Sequence, residues 1–386
     1  MRLGIARSDD PDDGRVAAVP DSIPRYLDLG ATVRVESGAG VAAGYTDEAY
    51  RTAGAEIVDA ESVITDVDVL AVVSAPSPQR LARLPEGVVV IGLLRPVHAT
   101  DVARHLAERR ATALALELVP RISRAQSLDA LSSQAGIAGY KAVLLAANEV
   151  DKLFPLSMTA AGTIRPANVV VLGAGVAGLQ AVATARRLGA AVKANDVRAA
   201  AADEVASLGA EFVHIPGVTD QSGDYAQDLG AGLAEAQQEA LGPHVAEADA
   251  VICTAQIPGR PAPRILTASM VAAMRPGSVV IDLPAEDGGN CELTDPGGTT
   301  EHAGVRVIPA PQLARTLPGE ASALYARNVA ELFALLVVDG AVSVDVEDEV
   351  VGATLLTRDG EIVHPPTAEA AGAVDAPTDT DEGGAL

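Results

Sequence analysis

Short, almost wholly apolar runs alternate along this chain with longer stretches whose apolar positions recur at helical spacing. Runs at 2–6, 32–36, 67–73, 88–92 and 112–115 read as strands, with helical patterns at 22–29, 47–52 and 98–109 between them. The alternation resumes with strands at 169–172, 191–195, 211–215, 250–254, 278–283 and 305–309. Strand and helix taking turns in this way favours parallel sheets layered with helices. The expected fold is therefore α/β: two Rossmann-like domains with parallel sheets flanking a nucleotide cleft. A helical stretch at 129–150 carries Ala135, Gly136, Ala138 and Gly139, small residues suited to close packing between domains. Another, at 322–338, is expected to return to the first domain. The domains expected are residues 1–138 with 322–364, then 139–321. From 365 to 386 Pro, Ala, Asp, Thr and Gly dominate, which predicts a disordered acidic tail.

One junction in this pattern carries chemistry. The strand Val169-Val170-Val171-Leu172 empties into Gly173-Ala174-Gly175-Val176-Ala177-Gly178, and a helix is expected over 179–188. Gly173 permits the tight turn, Gly175 lets backbone N–H groups approach a pyrophosphate, and Gly178 lets helix and strand pack closely. The helix start offers unpaired donors and a partial positive charge to an anion. Asp196 ends the next strand, where a carboxylate can accept both hydroxyls of an adenosine ribose and repel a 2′-phosphate. The alternative, a purely structural glycine turn, leaves the register of strand, helix, second strand and acidic residue unexplained. The candidate cofactor contacts are Gly173, Ala174, Gly175, Val176, Gly178, Asp196, Val197 and Arg198, joined by Thr254 and Ala255 after a later strand.

Composition narrows the class. The 386 residues suit two domains, and 48% hydrophobic content with only 2% aromatics points to Ala/Val/Leu packing rather than a base-stacking surface. A net charge of −24 argues against nucleic acid and against direct binding to anionic membranes. Lys141, Lys152 and Lys193 are the only lysines, a bias that fits a high-salt interior or a GC-rich genome equally well. Cys253 and Cys291 have no partner at metal-ligand spacing and read as buried small hydrophobes of a reducing compartment. No apolar run approaches the ~20 residues of a membrane helix, so no direct membrane insertion is expected. The stretch 217–239 is polar, with Gly223, Gly230, Gly232 and a lone Tyr225. It reads either as a solvated connection or as a mobile insertion followed by a helix.

A second segment is more specific than the glycine loop: Pro120-Arg121-Ile122-Ser123-Arg124-Ala125-Gln126-Ser127-Leu128-Asp129-Ala130-Leu131-Ser132, continuing through Ile137-Ala138-Gly139-Tyr140-Lys141. It closely resembles the catalytic loop of the NAD(H)-binding component, domain I, of proton-translocating NAD(P) transhydrogenases. The resemblance continues through 158–163, Asp196-Val197-Arg198, 257–263, Gly288-Gly289-Asn290-Cys291 and 357–365, nearly the whole chain except the tail. It implies direct hydride transfer between NAD(H) on this subunit and NADP(H) on a separate membrane-associated subunit, coupled to proton translocation. By position, Arg121, Asp129 and Ser132 would hold the nicotinamide carboxamide and ribose. Gln126 would align the two rings, and Tyr225 would sit on a loop that closes over nucleotide. The family also implies a homodimer bound to membrane-spanning subunits, including the NADP(H)-binding beta subunit, on the cytoplasmic face of the cell membrane.

Those roles agree with the chemistry. Hydride transfer between nicotinamides removes no proton, so positioning by amide, hydroxyl, guanidinium and carboxylate groups suffices. Arg121 and Asp129 also read as an ion pair capping the long helix, and both readings can hold together. The nearest rival is an alanine dehydrogenase, which shares the architecture but uses a lysine and a histidine in its first domain. The segment 72–79 here has no lysine, Arg95 falls where the histidine belongs, and His98 is displaced to a helix start. Arg15, shared by both families, then reads as structural. A non-catalytic NAD-binding regulatory subunit is the other alternative.

Overall fold

Along the strand Val69–Ser74, Val69, Ala71 and Val73 enter one hydrophobic cluster while Leu70 and Val72 enter another. Both faces of this strand are therefore covered, which is why its sequence is a continuous apolar run rather than an alternating one. Each such side chain contributes about 1.5–3 kcal/mol by leaving water. The computed structural model describes residues 1–216, 230–257 and 260–375. By its contacts the chain forms two units, Met1–Ser133 with Leu317–Leu386, and Gln134–Thr316. The expected boundaries lie a few residues further along the chain in both places.

In the first unit the sheet runs, edge to edge, Glu361–Ile362, Leu355–Arg358, Thr112–Ala115, Val89–Leu93, Val69–Ser74, Arg2–Ile5, Thr32–Glu36 and Glu56–Val58. All neighbours are parallel except at the Leu355–Arg358 edge, where the pairing turns antiparallel. The helix Pro318–Leu335 buries Tyr325, Val329, Leu332 and Phe333 against this sheet's core. Phe333 meets Tyr26 edge-on at 5.1 Å. The Tyr325 hydroxyl donates to the carbonyl of Val72 at 2.8 Å.

The second unit repeats the plan. Its sheet runs Glu211–Phe212, Ala191–Asn195, Asn168–Leu172, Ala250–Cys253, Val279–Asp282, Val305–Pro309 and Thr300–His302, with only the last pair antiparallel. Val169 and Val171 face one cluster, Val170 and Leu172 the other. The strand order reverses direction between Asn168–Leu172 and Ala250–Cys253. That switch point is where open α/β sheets bind ligands at their carboxyl ends.

Two expectations are corrected. The glycine-loop helix spans Val176–Arg187, starting earlier than the expected 179, so Gly178 lies in its first turn. The segment from 365 is not unstructured throughout: Pro365–Asp375 is a helix. Its buried Thr367 accepts the Val97 N–H at 3.1 Å, and the carbonyl of Ala371 accepts Arg104 Nη2 at 2.7 Å. Alanine-rich sequence is low in hydrophobicity but high in helix propensity, so composition concealed it. Residues 376–386 lie outside the described residues, as does Tyr225. Among the described residues, no helix is long and apolar enough to cross a membrane.

Candidate functional site

The glycine loop is built by collisions that only glycine avoids. Gly173 has φ +93°, and an ideal Cβ there would lie 2.8 Å from Ala255 N and 2.9 Å from Thr254 Oγ1. On Gly178 it would run into the carbonyl oxygen of Gly173. Gly175 differs: nothing lies within 4 Å of its Cβ position, and no side chain caps the helix it begins. Those open first-turn N–H groups, with Val176 exposed beside them, form a cradle that fits a diphosphate. Thr254 Oγ1 clamps the loop by donating within reach of Leu172 O (3.1 Å) and Gly173 O (2.9 Å).

Asp196 stands across from this turn. Its Oδ2 accepts the Ala174 N–H at 2.7 Å, and its Oδ1 accepts the Arg198 N–H at 2.9 Å and Nε at 3.1 Å. Val197 bridges the two charged residues in sequence. The preceding Asn195 is buried, donates to Val213 O at 2.7 Å and accepts from Gln237 Nε2 at 2.8 Å. A small residue there would leave Gln237 without that acceptor, which is a structural reason for Asn at this position.

Asn290 supports the next strand end and was not singled out from sequence. Its Oδ1 accepts Ala255 N–H at 3.0 Å while its Nδ2 donates to Ala255 O at 2.8 Å and Pro263 O at 2.9 Å. The buried Asp282 accepts from Asn290 N, Cys291 N and Thr294 Oγ1, and burial raises its carboxyl above the ordinary range. Cys253 and Cys291 are free and buried, and burial raises both thiols. The motif at 288–291 was the one signal available for this buttress.

The loop from Arg121 is held in the first unit. Ser123–Leu128 is a short 3-10 helix, after which Asp129 caps the helix Ala130–Glu149. Its Oδ1 accepts the Ser132 N–H at 2.8 Å and its Oδ2 the Ser132 hydroxyl at 2.5 Å. The buried Asn328, far along the chain on Pro318–Leu335, donates to Ser127 O at 2.8 Å and accepts from Ser133 Oγ at 2.8 Å. Arg124 grips Asp348 with two bonds of 2.7 and 3.0 Å, and Asp348 also caps Glu349–Thr354. The Arg124 guanidinium holds the Asp348 carboxyl down at about 2. Neither anchor was predicted, because each is joined to the loop only in three dimensions.

Gln126, Asp129 and Ser132 line one open cavity of about 630 Å³, whose other wall includes Arg25, Arg327 and Glu331. Arg121 is exposed at the start of the loop and does not line this cavity.

The positions a keto-acid enzyme would use are occupied otherwise. Arg15 and Asp13 form a buried ion pair at 2.7 Å, and Ser74 Oγ donates to Asp13 at 3.1 Å. Arg95 takes a left-handed backbone (φ 51°) and donates its N–H to Glu117 at 2.6 Å, while Leu94 N–H reaches the other oxygen at 3.2 Å. Burial pushes the Glu117 carboxyl up to about 6. His98 is exposed.

Comparison with known proteins fits this geometry. Residues 4–138 match the family described as alanine dehydrogenase/PNT, N-terminal domain, and 142–365 its C-terminal domain. An NAD(P) transhydrogenase alpha subunit of Rhodospirillum rubrum is 42% identical over 377 residues, 95% of this chain and 98% of that protein. The crystal structure of a transhydrogenase from Sinorhizobium meliloti superposes with TM-score 0.86 at 43% identity, covering 94% of this chain and all of that one. Alanine dehydrogenase of Bacillus subtilis is more distant, 28% identical over 94% of this chain and 93% of its own length. The chain belongs to the alanine dehydrogenase/transhydrogenase family, on its NAD(P) transhydrogenase alpha-subunit branch.

Proposed function

We propose that this chain is the NAD(H)-binding alpha subunit of a proton-translocating NAD(P) transhydrogenase. It exchanges hydride directly with NADP(H) carried on a membrane-spanning beta subunit, acts as a homodimer, and is held at the cytoplasmic face of the membrane through its partners. The observation that carries this reading is the cavity wall of Gln126, Asp129 and Ser132, a set of positioning groups. The residues from Gly173 to Gly178 and Asp196 hold the adenosine diphosphate half; Arg121, Asp129 and Ser132 hold the nicotinamide half. When bound, the nicotinamide supplies the chemistry of hydride donation and acceptance. Gln126 orients it, and Asp129 keeps Ser132 in place through its cap. Such positioning lowers a barrier without any proton transfer.

The test mixes the protein with an NADP(H)-binding transhydrogenase component and follows reduction of an NAD analogue by NADPH. Turnover that needs both proteins is expected. NADH binding without turnover would leave a regulatory NAD-binding subunit, and alanine-dependent NAD reduction by this protein alone would make it a dehydrogenase.

A further inference from the structure

The Asp196 carboxylate is already surrounded by donors. The Ala174 N–H reaches Oδ2 at 2.7 Å; the Arg198 N–H and Nε reach Oδ1 at 2.9 and 3.1 Å, and Nη2 lies 3.4 Å from Oδ2. The Asp196 side chain is only 7% exposed, and that of Arg198 20%. A permanent guanidinium beside two converging backbone N–H groups is a cradle for an anion of carboxylate or phosphate size. The anion that fills it is the chain's own. Arg198 has a second anchor, since Nη2 donates to Ala174 O at 3.0 Å, and this bond does not depend on Asp196.

We infer that Ala174 and Arg198 form a latent 2′-phosphate site that Asp196 keeps filled, which makes Arg198 a specificity-determining residue. The inference rests on the reading of the glycine loop as an NAD(H) site. An acidic residue at this place is ordinarily credited with accepting ribose hydroxyls and repelling a 2′-phosphate. The geometry adds competition: a phosphate must displace the carboxylate from all of its donors. The chain therefore discriminates against NADP(H) although a cation for the extra phosphate is already in place. Removing the carboxylate opens the cradle with no new positive charge introduced, and the opened cradle works only through Arg198.

Dissociation constants for NADH, NADPH and the phosphate probe 2′,5′-ADP test this in the full chain, with thermal unfolding as the check on folding. Asp196→Ser is expected to weaken NADH and tighten NADPH and 2′,5′-ADP, each by about tenfold or more. The isosteric Asp196→Asn, which retains an acceptor for the Ala174 N–H, should move both in the same directions by less. Adding Arg198→Ala to either variant should remove the gain for the phosphorylated ligands. A gain that survives Arg198→Ala overturns the inference. So does the absence of any gain in a folded Asp196 variant that still binds NADH measurably. Wild-type protein that binds no NADH would instead overturn the site reading itself.

Discussion

Asp129 commits its carboxylate to the start of a helix, whereas Gln126, three residues earlier, is exposed on the wall of the same cavity. Substitutions at the two should therefore fail in different ways. Gln126→Asn withdraws the amide by one methylene and disturbs no hydrogen bond that holds the loop. It is expected to slow hydride transfer about tenfold or more while the Kd for NADH changes by less than about threefold. Single-turnover rates beside equilibrium binding measure both, and a loss confined to affinity would remove the alignment role. The residues legible from sequence were those whose type is forced locally, such as Gly173 with its positive φ or Asp196 at a strand end. Asn328, Asn290 and Asp348 were not legible, because their partners Ser127, Ala255 and Arg124 are distant in the chain. Nothing local marks an asparagine as a buttress.

Helices and strands were readable to the degree that burial shaped them. The inner strands, covered on both faces, appear as apolar runs, and Thr32–Glu36, Thr112–Ala115, Ala191–Asn195 and Val305–Pro309 match their expected limits. Edge elements such as Glu56–Val58 and Glu361–Ile362 are short and half-exposed, so hydrophobic pattern carries little of their signal. The helix Ala130–Glu149 offers a test of packing at this level. An ideal Cβ on Gly139 would strike the carbonyl oxygen of Ala177, on the glycine-loop helix, while one on Gly136 meets nothing within 4 Å. Gly136→Ala should stabilise the protein by up to about 1 kcal/mol, since alanine is the better helix former. Gly139→Ala should cost about 1–3 kcal/mol or more, because backbone must shift to admit the methyl group. Thermal or denaturant unfolding of the pair checks this. Equal effects at the two glycines would mean that helix propensity, not the approach of the two helices, decides.

The molecule as a whole is strongly acidic, with a net charge of −24 and two α/β units of similar plan. Its fold class followed from the alternation of strand and helix, and the family from the loop at 120–132 together with the glycine motif. What the chain does with a bound nucleotide was not legible from the glycine loop, because that motif holds an adenosine diphosphate whatever chemistry happens at the other end. The account's central claim is that hydride passes directly between NAD(H) held here and NADP(H) held by a partner. NADPH carrying deuterium at the transferred C4 position, incubated in ordinary water with an NAD analogue, this protein and an NADP(H)-binding transhydrogenase component, tests it directly. The account predicts that the reduced analogue carries the deuterium in full and on one face of the ring. Reduced analogue carrying solvent hydrogen instead, with the label washed into water, would contradict it.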